Sequence, residues 1–201
     1  MATKPDTRTR MIEAAMDLFH QQGVNATSID QVLARSDTGK SQFSHYFKTK
    51  DGLIHAVLDY LSRVVRGGDS PSSYELKSWQ DLDRWFQQYI DFQKSVNCER
   101  SCPLGTIGND LGNDQELLRM EVRLFLEWAR GKLARFFAER QAAGELDPAA
   151  RPEELADFCI SIMQGGMLLA KMKRDTDMFE NAAAQASAYL RSLRIPRPTA
   201  A

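Results

Sequence analysis

Apolar residues recur along this chain three and four positions apart almost from end to end, a period that predicts helices, and no alternating stretch reads as a strand. Ile12, Ala15, Met16 and Phe19 give one apolar face to a helix over 8–22, with Glu13, Asp17 and His20 largely off it. Gly23 stops that helix as a left-handed cap. Thr27 or Ser28 opens the next, with Asp30 in its first turn and Ile29, Val32 and Leu33 as its buried face. The corner Ser36-Asp37-Thr38 has no glycine before Gly39, but Asp tolerates positive φ, so a tight turn is feasible.

The helix over 39–47 has an unusual composition. Only Phe43 and Phe47, four apart, can anchor it, while Lys40, Ser41, Gln42, Ser44, His45 and Tyr46 are polar or polar-tipped. A helix this short does not stand on its own propensity. Docked by two aromatics, it leaves an outward face of hydrogen-bonding groups, which is what a helix in a DNA major groove requires and also what a solvated surface helix shows.

Beyond Lys50 the periodicity predicts a larger helical body. Asp51 caps a helix running to Arg66 with Leu53, Ile54, Val57, Leu58, Leu61, Val64 and Val65 at helical spacing, and a loop follows over 67–73. An aromatic-rich helix starts at Trp79 and ends near Val96. The stretch 97–112 is irregular, with three glycines and a proline interrupting Leu104, Ile107 and Leu111. A long helix from Asp114 to Gly144 carries Leu117, Leu118, Val122, Phe125 and Leu126 on one broad face. Pro152 opens another, and the last covers 175–193. In the penultimate helix Gly165-Gly166 marks a close helix approach, placed here at a dimer interface.

Composition narrows the class without selecting a function. The 201 residues are 43% hydrophobic and 26% charged, as in globular proteins large enough to need no disulfides. No apolar run approaches a membrane span and the N-terminus lacks a signal-peptide core, so a cytoplasmic location is expected. Cys98, Cys102 and Cys159 are an odd number, read as thiols. Cys98 and Cys102 lack the further ligands of a zinc site, and neither a metal nor a cofactor is implied. The three histidines lie in the N-terminal third, no hydrolase, phosphate-loop or dinucleotide pattern occurs, and an enzyme is not expected. The net charge is −1, but residues 1–50 hold seven basic and five acidic side chains, which permits a DNA-facing end.

Taken together, Ile12 to Phe19 with Gly23, Thr27 to Ala34, Lys40 to Phe47 with its His45-Tyr46-Phe47 ending, and Lys50-Asp51 resemble the DNA-binding domain of TetR-family transcriptional regulators. The resemblance implies an all-α protein: a three-helix, helix-turn-helix DNA-binding domain over 6–52 and a larger helical domain for effector binding and dimerisation over 53–195. It implies a homodimer paired through the last two helices, bound to double-stranded operator DNA and released by a small-molecule effector. By position, Thr27, Ser28, Lys40, Ser41, Gln42, Ser44, His45, Tyr46 and Lys50 are the expected DNA-binding residues. Asp37 stands where the family usually has Gly, and Ser44 where it usually has a phosphate-contacting Tyr.

The stretch Cys102-Pro103-Leu104-Gly105-Thr106-Ile107-Gly108-Asn109 resembles a branch that responds to small electrophiles. There Cys102 opens a short helix, where the dipole and Arg100 favour a thiolate, so it is either a sensor or a packing residue. Trp85, Tyr89, Cys102, Ile107, Phe125, Trp128 and Gln164 are the candidate effector-binding residues, with Asn109, Glu127 and Lys171 as further polar candidates.

Overall fold

In a computed structural model, residues 6–68 and 73–195 are described, and they form nine α-helices. The first, α1 (Thr7–Gln22), is capped by the Asp6 carboxylate, which accepts from the Thr9 amide at 2.8 Å. Gly23 ends it at φ 83° and ψ 167°, a positive φ open to glycine but not the left-handed helical cap expected. Ser28 opens α2 (Ile29–Ser36) in a capping box with Gln31. Asp37 closes α2 in the left-handed region, φ 51° and ψ 59°, so the turn forms without glycine at that position. Buried Ser36 supports it, its hydroxyl 2.6 Å from that of Thr38.

The short α3 (Lys40–Tyr46) follows, with Phe43 and its C-terminal neighbour Phe47 both buried and their rings 5.5 Å apart. Thr49, not Asp51, caps α4 (Lys50–Gly67): its hydroxyl accepts from the Gly52 amide at 3.1 Å. Asp51 is the second residue of the first turn, where its carboxylate instead accepts from Gln115. The expected boundary at 52/53 therefore falls inside a continuous helix that runs from the α3 end of the head into the body. Of the loop expected over 67–73, residues 69–72 lie outside the described ones.

The body comprises α5 (Trp79–Ser95), α6 (Pro103–Asp110), α7 (Glu116–Ala142), α8 (Pro152–Lys173) and α9 (Asp177–Ser192). The long helices α7, α8 and α9 pack side by side, with α4, α5 and α6 laid against them. Their core joins Leu133, Phe136, Phe137, Cys159, Met163 and Phe179. Leu117, expected on the buried face of α7, is 74% exposed, and Leu118 takes the inward position. By length and composition alone α8 is apolar enough to cross a membrane, although acidic residues at its start and lysines at its end bound the uninterrupted uncharged run within it to 158–170. Its apolarity serves two sides at once: Leu155, Ala156, Cys159, Met163 and Met167 enter the core, while Leu168 and Met172 face outward.

The double glycine separates into two roles. Gly166 lies under the ring of Phe179 from α9, where any Cβ would overlap the ring carbons. The close approach is thus made within one chain, not at a dimer interface as expected. Gly165 has open space where its Cβ would be.

Candidate functional site

Two features of the fold carry chemistry: the outward face of α3 and a cavity inside the body. On α3, Lys40, Ser41, Gln42, Ser44, His45 and Tyr46 are all exposed, because Phe43 and Phe47 turn the opposite side inward. Lys40 is paired with Asp30 of α2 at 3.2 Å, both strongly exposed. Such a pair contributes little and exchanges readily for a phosphate. The Gln42 side-chain oxygen accepts from the Gly39 amide at 3.0 Å, capping its own helix. Its amide NH2 remains as the group able to read a base. Ser28 is exposed at the head of α2. Thr27 is not available as expected: its side chain is 2% exposed and its hydroxyl donates to the Gly23 carbonyl at 2.7 Å. The reason is the turn geometry, since Thr27 closes the α1–α2 corner from within. Arg8, whose guanidinium sits 5.9 Å from the Phe47 ring centre, and exposed Lys48, at φ 65°, add positive charge near α3 that pattern reasoning did not single out.

The cavity encloses about 220 Å³ between α1, α4, α5, α6, α7 and α8. Of the residues expected to line it, Tyr89, Cys102, Phe125 and Gln164 do. Trp85, Ile107 and Trp128 do not. Trp85 is fully buried behind the wall, edge-on to Tyr74 and Tyr89, and Trp128 closes the outer side over Tyr74 and Phe125, with Arg66 above its ring. Ile107 packs into the core. The further polar candidates are dispersed: Asn109 and Glu127 line a separate open groove between α6, α7 and α8, and the Lys171 ammonium donates to the His20 carbonyl at 2.8 Å. Gln164 lines both spaces.

Cys102, at the N-terminal end of α6, is buried on the cavity wall, and the Gln164 amide donates to its sulfur at 3.2 Å. Arg100 is not committed to the sulfur as expected; its guanidinium pairs with Asp17 at 3.1 Å. Burial pushes the Cys159 thiol up to about 12 and also raises Cys98, so neither ionises readily. Tyr74, not among the expected lining residues, stands opposite Tyr89 with hydroxyls 3.1 Å apart, and burial holds its phenol well above the usual range.

The largest omission is His20. Expected largely off the apolar face of α1, it is 4% exposed and lines the cavity with Met16. The signal was present: His20 is four residues from Met16 and eight from Ile12, on the same helical stripe. Burial, reinforced by Arg100 and Lys171, pushes its pKa from 6.5 down to about 4. The ring is therefore neutral at pH 7.

Polar contacts tie this cavity to the head. Asp110, at the far end of α6 from Cys102, accepts from the Val24 amide at 2.6 Å, and its carbonyl accepts from the Asn25 side chain at 3.0 Å. His55 of α4 meets Glu121 of α7 at 2.7 Å. Leu61, Val64 and Val65, further along α4, line the cavity itself. One helix, α4, thus reaches from the cavity wall to the end of α3.

Comparison with known proteins agrees with this geometry. The family model of bacterial regulatory proteins of the tetR family matches residues 11–57, and that of the tetracycline repressor-like C-terminal domain matches 79–186. An uncharacterised helix-turn-helix transcriptional regulator of Mycobacterium tuberculosis is 27% identical over 177 residues, 84% of this chain and 86% of that protein. The transcriptional repressor ComR of Escherichia coli is 27% identical over 170 residues, 82% of this chain and 79% of that one. The crystal structure of a TetR-family regulator from Cytophaga hutchinsonii superposes with a TM-score of 0.83 at 16% identity, over 97% of this chain and all of that one. With a helix-turn-helix head and a matched C-terminal domain that spans more than half its length, this chain belongs to the TetR family of bacterial transcriptional regulators.

Proposed function

We propose that the protein is a homodimeric repressor that leaves an inverted-repeat operator when a small molecule occupies the cavity. The observation that carries the DNA half is α3, a seven-residue helix held by two buried phenylalanines with every other side chain exposed. In this reading residues 6–52 form the reader and 53–195 the body. Ser28, Lys40, Ser41, Gln42, Ser44, His45, Tyr46 and Lys50 contact DNA, with half-sites about one helical turn apart. The repressing sense is supported by ComR, a relative named as a repressor. Pairing through α8 and α9 is supported by Leu168, Met172, Met178 and Tyr189, apolar side chains left exposed on their outward faces.

Release follows from the shared helices. An occupant pressing on Leu61, Val64 and Val65 tilts α4, and one pressing on the Cys102 end of α6 moves Asp110 against the α1–α2 turn. Either changes the separation of the two heads, and linkage requires operator DNA to weaken effector binding by the same factor.

Selection of bound sequences from random DNA, followed by a salt series, tests the reader. Lys50→Ala is expected to weaken all sequences alike and to lower the salt slope by about one. His45→Ala is expected to cost about 1–3 kcal/mol at one base position and relax preference there, as is Gln42→Ala, which also removes the α3 cap. Equal, uniform losses from all three would refute this division of roles.

An electrophilic effector is a second reading, favoured by the Cys102 sulfur on the cavity wall. Under it, Cys102→Ser keeps operator affinity but no longer releases DNA on treatment with an unsaturated carbonyl compound, and intact-protein mass shows the adduct missing. An unchanged response makes Cys102 a packing residue.

A further inference from the structure

The cavity is mostly apolar, and of its polar lining the Tyr74 and Tyr89 hydroxyls pair with each other and the Gln164 amide with Cys102, which leaves the end where α1 meets α6. There the His20 imidazole, buried from solvent, has an Nδ1 with no hydrogen-bond partner among the described residues. Arg100 lines the cavity beside it. The charges facing His20 are the cations Arg100 and Lys171 and the carboxylate Asp17. Asp17 is itself divided between Arg100 at 3.1 Å and Arg35 at 3.3 Å. Two cations and one shared carboxylate thus face a neutral ring, and the local field is positive.

An unpartnered buried nitrogen in a positive field selects the group that would complement it. An ammonium is repelled, and an ester or ether gains a hydrogen bond but leaves the field unanswered. A monoanion with two oxygens answers both, taking one N–H from the imidazole and another from the guanidinium, whose five donors allow the Asp17 bridge to persist. A dianionic phosphate needs more donors and more charge than this end can supply. Size follows from volume: on the scale where an apolar cavity of ~150 Å³ holds benzene, 220 Å³ holds about nine non-hydrogen atoms.

We infer that the cavity is built for a small monocarboxylic acid of about nine non-hydrogen atoms, its carboxylate received by His20 and Arg100 and its apolar body by Leu61, Phe125 and Met163. This rests on the reading of the cavity as the effector site. It adds that the ligand's charged end touches α1 directly, one turn from the corner that Asp110 holds, so that the anion acts on the scaffold of the reader.

Isothermal titration of the full-length protein at pH 7 with benzoate, hexanoate, methyl benzoate, benzamide and benzylamine tests the inference. Benzoate and hexanoate are expected to bind at least tenfold more tightly than the ester and amide, and benzylamine not to bind. His20→Leu removes an unsatisfied buried polar group and is expected to fold, and Arg100→Gln changes a half-buried side chain. Each should lower benzoate affinity at least tenfold and methyl benzoate affinity by no more than a few-fold, with melting curves confirming folded protein. If ester and acid bind equally, or if the preference for acid survives both variants, the inference is overturned while the effector site stands. If no probe binds at millimolar concentration, the inference and the reading of the cavity fall together.

Discussion

Replacing Phe43 by alanine is expected to abolish operator binding while leaving the body folded. The argument starts from length: seven residues make barely two turns, and a helix of that size is unfavourable in water without tertiary support. Support comes from Phe43, buried in the head core, and from Phe47 beside it. Truncating a buried Phe costs about 3–5 kcal/mol, the lost transfer energy plus the cavity left behind. That cost is concentrated on the element with least to hold it, so α3 detaches before α4 to α9 are disturbed. Hydrogen exchange should show fast amides confined to α3 and its turn, operator titration should show no specific binding, and sedimentation should show an unchanged oligomeric state. Phe43→Leu, which keeps most of the volume, is expected to retain a measurable part of the affinity. Wild-type operator binding by Phe43→Ala would mean that α3 is held by something other than its aromatic anchors.

The second large effect is expected at Gly166. Added there, a single methyl group lands on the Phe179 ring, which is fully buried and cannot retreat without moving α9 away from α8. Overpacking of this kind costs about 1–3 kcal/mol, occasionally more, against about 0.5–1 kcal/mol gained from replacing a helical glycine by alanine. Gly166→Ala is therefore expected to lower stability despite its better helix propensity. The adjacent Gly165→Ala meets open space and is expected to raise the stability of the isolated chain by that 0.5–1 kcal/mol. Chemical denaturation compares the two, and combining Gly166→Ala with Phe179→Leu should recover much of the loss, since the pair shares one contact. A loss from Gly165→Ala that appears only in the dimer dissociation constant would place Gly165 at the subunit interface. Equal stability of the two single variants would refute the intrachain role assigned to Gly166.

The parts of this molecule that were legible in its sequence share a physical origin. Helix periods, a cap at Thr27 or Ser28, the stop at Gly23, the opening at Pro152 and the outward face of α3 depend on residues within a turn or two of one another. They are written in the local order of side chains, and even the tolerance of the Asp37 turn follows from the chemistry of one residue. The same locality explains the errors at helix starts: Asp51 and Thr49 both suit the beginning of α4, and only the backbone geometry assigns the cap to Thr49.

What tertiary structure alone decided is which neighbours each side chain meets. Thr27 reads as a free hydroxyl until the α1–α2 corner closes over it. Trp85, Ile107 and Trp128 have the composition of a pocket wall, yet they stand behind or outside it, because the wall belongs to whichever residues six separate helices turn toward one point. His20 belongs to the head in the order of the chain and to the cavity in space, held there by Lys171, 151 residues away. The amphipathic period determines that a side chain is inward. It does not determine what it faces there, because that is set by contacts between elements far apart along the chain, and in this protein those contacts link the cavity to the helices that present α3.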